Sequence, residues 1–280
     1  MARAISAIAE SMFDAEIKHG FQDVTSNLRN TVRVKTGVVG TTYNFPLMGK
    51  GMAHPRLKYT DVTPMNIGYS QHPCVLQDWT AAEYSDIFDS ALVKADEIKE
   101  LAKEVGNAMT RRLDQIIIDA MTGSGYDKAN ADIAAANSVL TLEKILVAKK
   151  ALDKAGVPTE GRYFVCGAAQ LNDDLLTNTK VTSADYAAVK ALVNGDISSF
   201  LGFTFKVIGD RGEGGLPLIS GTRTCYAYHR EAAGLAIGLE RGTSIDWVAE
   251  KRSWLAAADL RAGAAVIDAS GIILVKAKES

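Results

Sequence analysis

The sequence predicts an α+β fold, with helices in the middle of the chain and strands gathered late. Three observations predict it. One long central stretch carries apolar residues at helical spacing. Short runs alternating at period two crowd the last third. A segment rich in proline and glycine precedes the long stretch and has little core of its own.

Residues 2–19 place Ile5, Ile8, Ala9, Met12, Phe13 and Ile17 at the spacing of an amphipathic helix. Two readings stand: a terminal helix packed on its own domain, or an arm lying on a neighbouring subunit. Residues 22–33 are polar and suit an extended connector. Val32–Lys35 and Thr41–Phe45 then alternate as half-buried strands do. Over 37–80, Pro46, Pro55, Pro64 and Pro73 fall nine residues apart, but their surroundings do not repeat. Proline cannot donate to a ladder, so the segment predicts a projecting two-stranded loop stabilised from outside its own domain.

Thr80 to Thr122 is the organising stretch. Ile98, Leu101, Ala102, Val105, Met109, Leu113, Ile116, Ile117, Ala120 and Met121 form one stripe. Lys94, Glu97, Lys103, Arg111, Arg112 and Asp114 fall to the charged face. A periodic part starting near Ser90 gives a helix of about 30 residues and roughly 45 Å. Gly123-Ser-Gly125 ends it. The stripe stops too early for a coiled coil.

A small-residue linker, 126–138, leads to a helix over Leu142–Ala155. Thr141 is its cap, Gly156 and Pro158 its stop, and Leu142, Ile145, Leu146, Lys149 and Leu152 its face. Arg162–Cys166 reads as a buried strand, Ala168–Leu176 as a short helix and Ala184–Val193 as another. Strands follow at Phe203–Val207, Tyr226–Tyr228, Leu235–Leu239 and Ser244–Val248. Gly209–Gly215 reads as a mobile exposed loop. Residues 262–267 and 272–276 predict a terminal hairpin around Asp268-Ala-Ser-Gly271.

The 280 residues carry a formal charge of −2 and are 47% hydrophobic, an ordinary globular composition. That balance argues against a dedicated nucleic-acid binder, which shows a basic stripe. Cys74, Cys166 and Cys225 are widely spaced and read as free thiols in a reducing compartment. No stretch is apolar enough for long enough to span a membrane, and the N-terminus lacks a signal-peptide core.

No catalytic, metal or cofactor set emerges. His19, His54, His72 and His229 lie far apart. Met48-Gly-Lys-Gly51 has the Gly-Lys pair of a phosphate loop but Gly51 where the loop needs Ser or Thr, so the match fails. Gly209–Gly215 is followed by Leu216-Pro217 rather than a helix start, so it fails as a dinucleotide loop. Asp173-Asp174 has no opposing carboxylate that the sequence can place. The arm, the loop and the over-long helix are each poorly stabilised in one subunit. All three make sense in a tile whose neighbours supply the missing burial.

Several runs resemble the major capsid proteins of tailed bacteriophages, with the Hong Kong 97 type of fold. They are Glu104-Val-Gly-Asn-Ala-Met-Thr-Arg-Arg-Leu-Asp114, Ala155-Gly-Val-Pro-Thr-Glu-Gly-Arg-Tyr163, Gly195-Asp-Ile-Ser-Ser-Phe-Leu-Gly-Phe-Thr-Phe205 and Lys251-Arg-Ser through Gly263-Ala-Ala-Val-Ile-Asp268. Their order along nearly the whole chain carries the resemblance.

The resemblance implies an N-terminal arm at 1–36, an extended loop at 37–80, and a spine helix with peripheral domain at 81–139. An axial domain at 140–245 and a return to the peripheral domain at 246–280 follow. It implies pentamers and hexamers tiling an icosahedral shell around double-stranded DNA, with the 209–215 loop near a capsomer axis. The implied partners are further copies of the chain, a separate scaffolding protein, a portal protein and a decoration protein. The implied location is the virion, after assembly in the host bacterial cytoplasm.

The chain begins almost directly with the arm, so an in-chain scaffold segment is expected to be absent or removed. Lys50 and Lys58 match no cross-linking motif. The candidate inter-subunit contacts are Phe13, Arg29 and Arg33 near the arm, and Lys50, Arg56 and Lys58 in the loop. Arg111 and Arg112 on the helix, with Arg211 and Glu213 in the glycine-rich loop, complete the set. An encapsulin-type compartment shell, or an enzyme with an unrecognised site, are the competing readings.

Overall fold

The computed structural model describes residues 26–86, 97–123, 132–135, 138–175 and 200–279. The helices expected at 2–19 and 184–193, Phe13, and most of the 126–138 linker lie outside the described residues.

The central amphipathic run is helix α1, Glu97–Thr122. Its 26 residues span about 39 Å. The organising stretch is not helical from its start. Gln77–Asp86 is a ten-residue strand, β4, because pairing along β10 (Ser253–Val266) outweighs the helix propensity of its Ala-Ala-Glu core.

Two sheets share α1. The first has the order β1-β9-β10-β4, with β1 at Arg33–Thr36 and β9 at Ala233–Val248. β1 runs parallel to β9, Arg33 opposite Gly234. The second contains β11-β8-β5-β6, from Ile272–Lys278, Thr222–His229, Arg162–Gly167 and Thr204–Ile208. The short β7, Leu218–Ile219, pairs with β8. Alternation gives this sheet two buried faces. Val165, Tyr226, Tyr228 and Leu274 meet Leu113, Ile117, Ile118 and Met121 of α1. Phe164, Cys166, Cys225, Ala227 and Val275 meet helix α2, Leu142–Lys154, through Ile145, Ala148 and Leu152.

Thr141 caps α2 as expected, its side chain accepting from Lys144 N. The buried face is rotated from the expected one. Lys144, Ile145, Ala148 and Leu152 point inward, while Leu146 is exposed. Lys144 is tolerated there because its ammonium donates to the carbonyls of Ala135, Ser138 and Lys276 at 3.0, 2.9 and 3.0 Å. It thereby ties the end of β11 to the loop before α2.

Two strand expectations are corrected. The runs at 235–239 and 244–248 are one strand, β9. Its register against β10 slips at Gly238 and around Gly242, so the glycines mark bulges rather than a break. The terminal hairpin does not form. The turn at 268–271 exists, with Asp268 Oδ1 accepting from Ser270 N at 2.9 Å. It carries the chain from one sheet to the other, where β11 pairs with β8. A tight turn fixes a reversal of the chain, not the strand that follows as its partner.

Cys74, Cys166 and Cys225 are free and buried. Burial pushes the Cys74 thiol up to about 11 and Cys225 up to about 12. The paired Asp173-Asp174 lies in a π-helical turn, Gln170–Leu175. There Asp174 accepts from Leu140 N at 3.0 Å, a structural role.

Candidate assembly surfaces

Three regions carry the residues expected to meet neighbours. The first is the hairpin of β2, Thr42–Met48, and β3, Tyr69–Val75. Its base is firmly seated. Phe45 is wholly buried over Gly234, where a Cβ would come within 2.6 Å of the ring. Cys74, Leu76 and Ala236 complete that small core. Pro46 and Pro73 lie within the ladder, opposite Gln71 and Asn44. Beyond the Gly49 N–Gly68 O bond the chain opens into a tip. There Met52, Leu57 and Val62 are 77%, 72% and 74% exposed, and Tyr59 is fully so. Apolar side chains grouped this way on a projection mark an interaction surface. Lys50 reaches the Ala155 carbonyl at the end of α2, at 3.2 Å, while Arg56 and Lys58 are exposed on the tip.

The second region is the root of the arm. Arg29 forks onto Glu240 at 2.6 and 2.8 Å, and Arg33 lies 3.9 Å from Glu231. Ser26, Asn27 and Leu28 all bond to Asp114 of α1. A groove of about 370 Å³ opens beside them, between α1 and the bulged part of β9–β10.

The third is the glycine-rich loop 209–215, which is not the mobile exposed loop expected. It is docked on α1. Gly214 N donates to Gln115 Oε1 at 2.9 Å, and its φ of +74° lets it pass so close to Arg111 that a Cβ would lie 2.7 Å from the Arg111 carbonyl. Arg112 pairs with Glu213 at 3.4 Å and stacks over Trp79 at 3.4 Å. Arg111 pairs with Glu104 along the helix at 2.8 Å. Arg111, Arg112, Arg211 and Glu213 are thus brought together at one place. Arg29, Arg33, Lys50, Arg111, Arg112 and Glu213 all have partners within the chain.

Sequence reasoning placed Asp114 on the charged face of the helix. It is wholly buried, in line with Ile117, Ile118 and Met121. Gaps of three, four and seven from Asp114 to those residues carry that signal. The edge-to-face pair Trp247–Trp254, at the end of the β9–β10 hairpin, was also missed. Its signal is visible only once the register places the two residues opposite each other.

Among the described residues, no group of three or more His, Cys, Asp or Glu could hold a metal ion. No helix among them is long and apolar enough to cross a membrane. The architecture defines a subunit with a seated core and projecting parts, the design of a structural shell protein. The sequence profile of the phage capsid protein family matches residues 5–279, and the chain belongs to that family.

No curated protein sequence matches the chain. Solved structures do. A protein from the head of the Helicobacter pylori bacteriophage KHP40 is 14% identical, with a TM-score of 0.74 over 96% of this chain and 95% of that one. One from the capsid of the cyanophage P-SCSP1u is 16% identical, with a TM-score of 0.71 over 100% and 96%. One from Mycobacterium phage Che8 is 18% identical, with a TM-score of 0.63 over 95% and 96%. At such identities the shared property is the fold, the Hong Kong 97-like capsid fold that the order of elements implied.

Proposed function

We propose that this capsid protein builds pentamers and hexamers that close into an icosahedral shell around double-stranded DNA. The observation that carries this reading is the β2–β3 hairpin, held at its base and apolar at a tip that its own subunit leaves open. Residues 1–36 act as the arm and 37–80 as the extended loop. α1 with β4, β9 and β10, against which β1 at the end of the arm pairs, forms the peripheral layer, and α2 with β5–β8 and β11 the axial layer; β9 departs from the expected 140–245 axial bounds through its pairing with β10. Assignment of β11 to the axial layer follows its pairing with β8. A chain of net charge −2 can enclose DNA without gripping it, since strong binding requires many phosphate contacts. Shell strength then sums many modest interfaces. A separate scaffolding protein, a portal and a decoration protein are the partners of such a shell, which is assembled in the host cytoplasm and carried in the virion.

Light scattering and negative-stain microscopy of the protein, expressed alone and with its neighbouring genes, test the reading. Regular shells of megadalton mass containing DNA are expected. Shells that load an enzyme through a short peptide would point to a compartment instead. A stable monomer near 29.9 kDa under both conditions would overturn the reading.

A further inference from the structure

We propose that Asp114 is the positioning residue that fixes the place and direction of the chain at Ser26–Leu28, the root of the arm, through its shared hold on these three residues. The consequence for assembly rests on the shell reading above. The hold itself does not.

A carboxylate wholly buried on an apolar stripe is costly unless its oxygens are satisfied. All three of its hydrogen bonds to the arm root come from one short piece of chain, distant in sequence. Ser26 Oγ donates to Oδ1 at 2.5 Å and Leu28 N to the same oxygen at 3.1 Å, while Asn27 N donates to Oδ2 at 3.2 Å. Donors on both oxygens set the orientation of the backbone as well as its place. The Ser26 hydroxyl in turn accepts from Arg29 N at 3.1 Å.

Two further elements grip the same turn. Thr31 Oγ1 donates to the Leu28 carbonyl at 2.7 Å and meets the buried Tyr228 hydroxyl of β8 at 2.5 Å. Arg29 reaches Glu240 on β9. From the 209–215 loop, the positive charge of Arg211 acts on Asp114. An asparagine could not replace the carboxylate, because it offers one acceptor oxygen where three donors converge on two.

The test compares the full-length wild type with S26A, S26T and D114N. It reads amide exchange of the 26–31 segment, exchange of α2 and β8, and the yield of closed shells on expression with the neighbouring genes. In S26A, exchange at Asn27 and Leu28 should rise about tenfold, as expected for loss of a hydrogen bond to a charged group, while α2 and β8 stay protected. Shell yield should fall by a similar factor, and S26T, which keeps the hydroxyl, should restore both. D114N should show the larger effect. S26A remains decisive if D114N does not fold. Unchanged exchange at 27–28 in folded S26A would overturn the hold. Raised exchange with wild-type shell yield would overturn the positioning role. Wild-type protein that forms no shells would overturn the shell reading, a result visible without any variant.

Discussion

The molecule contains two long antiparallel hairpins of opposite design. In β9–β10 the ladder is flanked by β4 along its length and by β1 near its base, and α1 lies across its face, burying Ala256 and Ala258. In β2–β3 only the base is packed, and the tip presents Met52, Leu57, Tyr59 and Val62 to solvent. Both have apolar residues in quantity. The first uses those near its base and under α1 inside the subunit, while Leu239, Ile245 and Trp247 towards its far end stay partly exposed. The second holds them out, where burial of each large side chain by a partner would contribute roughly 1.5–3 kcal/mol. A free subunit gains nothing from such a tip, which is the surface that the proposed shell would cover with a second copy.

That contrast can be broken at the hairpin base. Phe45→Ala empties a fully buried site between Tyr43 and Gly234. It should cost about 3–5 kcal/mol in urea unfolding of the subunit. A loss below about 1 kcal/mol would mean that the hairpin is not anchored as described. Lys144→Met comes next. It leaves three backbone carbonyls without their shared donor and should cost about 1–3 kcal/mol, read the same way.

The wild type against D114N gives a smaller, pH-dependent difference. Burial raises the Asp114 carboxyl above its ordinary 3.8. A raised folded value means that the folded state binds the proton more tightly than the unfolded one. The resulting stability is fully present below the ordinary value and is lost as pH rises through the folded value. The stability of the wild type relative to D114N should therefore grow as pH falls from 7 towards 4, measured as urea midpoints. Of the facing groups, Arg211 and Tyr228, burial pushes the Tyr228 phenol further up, away from that range. A trend of the opposite sign would contradict this environment for Asp114. Smallest of all, Glu240→Ala removes the half-exposed partner of Arg29 and should change stability by at most about 1 kcal/mol.

What the sequence made legible was local. Period 3.6 located α1 through Leu113, Ile117 and Met121, a short apolar run located β5, and period two located β6. Proline and glycine marked the projecting hairpin. What it hid was long-range. Nothing in Arg33–Thr36 specifies a parallel partner two hundred positions away in β9, and nothing in Asp268–Gly271 says that β11 will join β8. The runs 235–239 and 244–248 read as two strands because a bulge and a break both interrupt the alternation. Asp114 was assigned outward by its charge although its helical position points inward, and Lys144 was left off the buried face of α2. The rule that charge faces solvent gave way to specific partners: three donors for the carboxylate and three carbonyls for the ammonium. The docking of the 209–215 loop was hidden for a similar reason, since its glycines serve close approach to α1 rather than freedom.

The most direct measurement replaces the hairpin tip, residues 52–65, with a short turn and follows subunit melting and particle mass together. The tip contributes little inside the subunit, so melting should stay within a few degrees of the full chain while megadalton shells disappear. Shells of normal size and yield from the trimmed chain would contradict the claim that this tip is built to be covered by another copy.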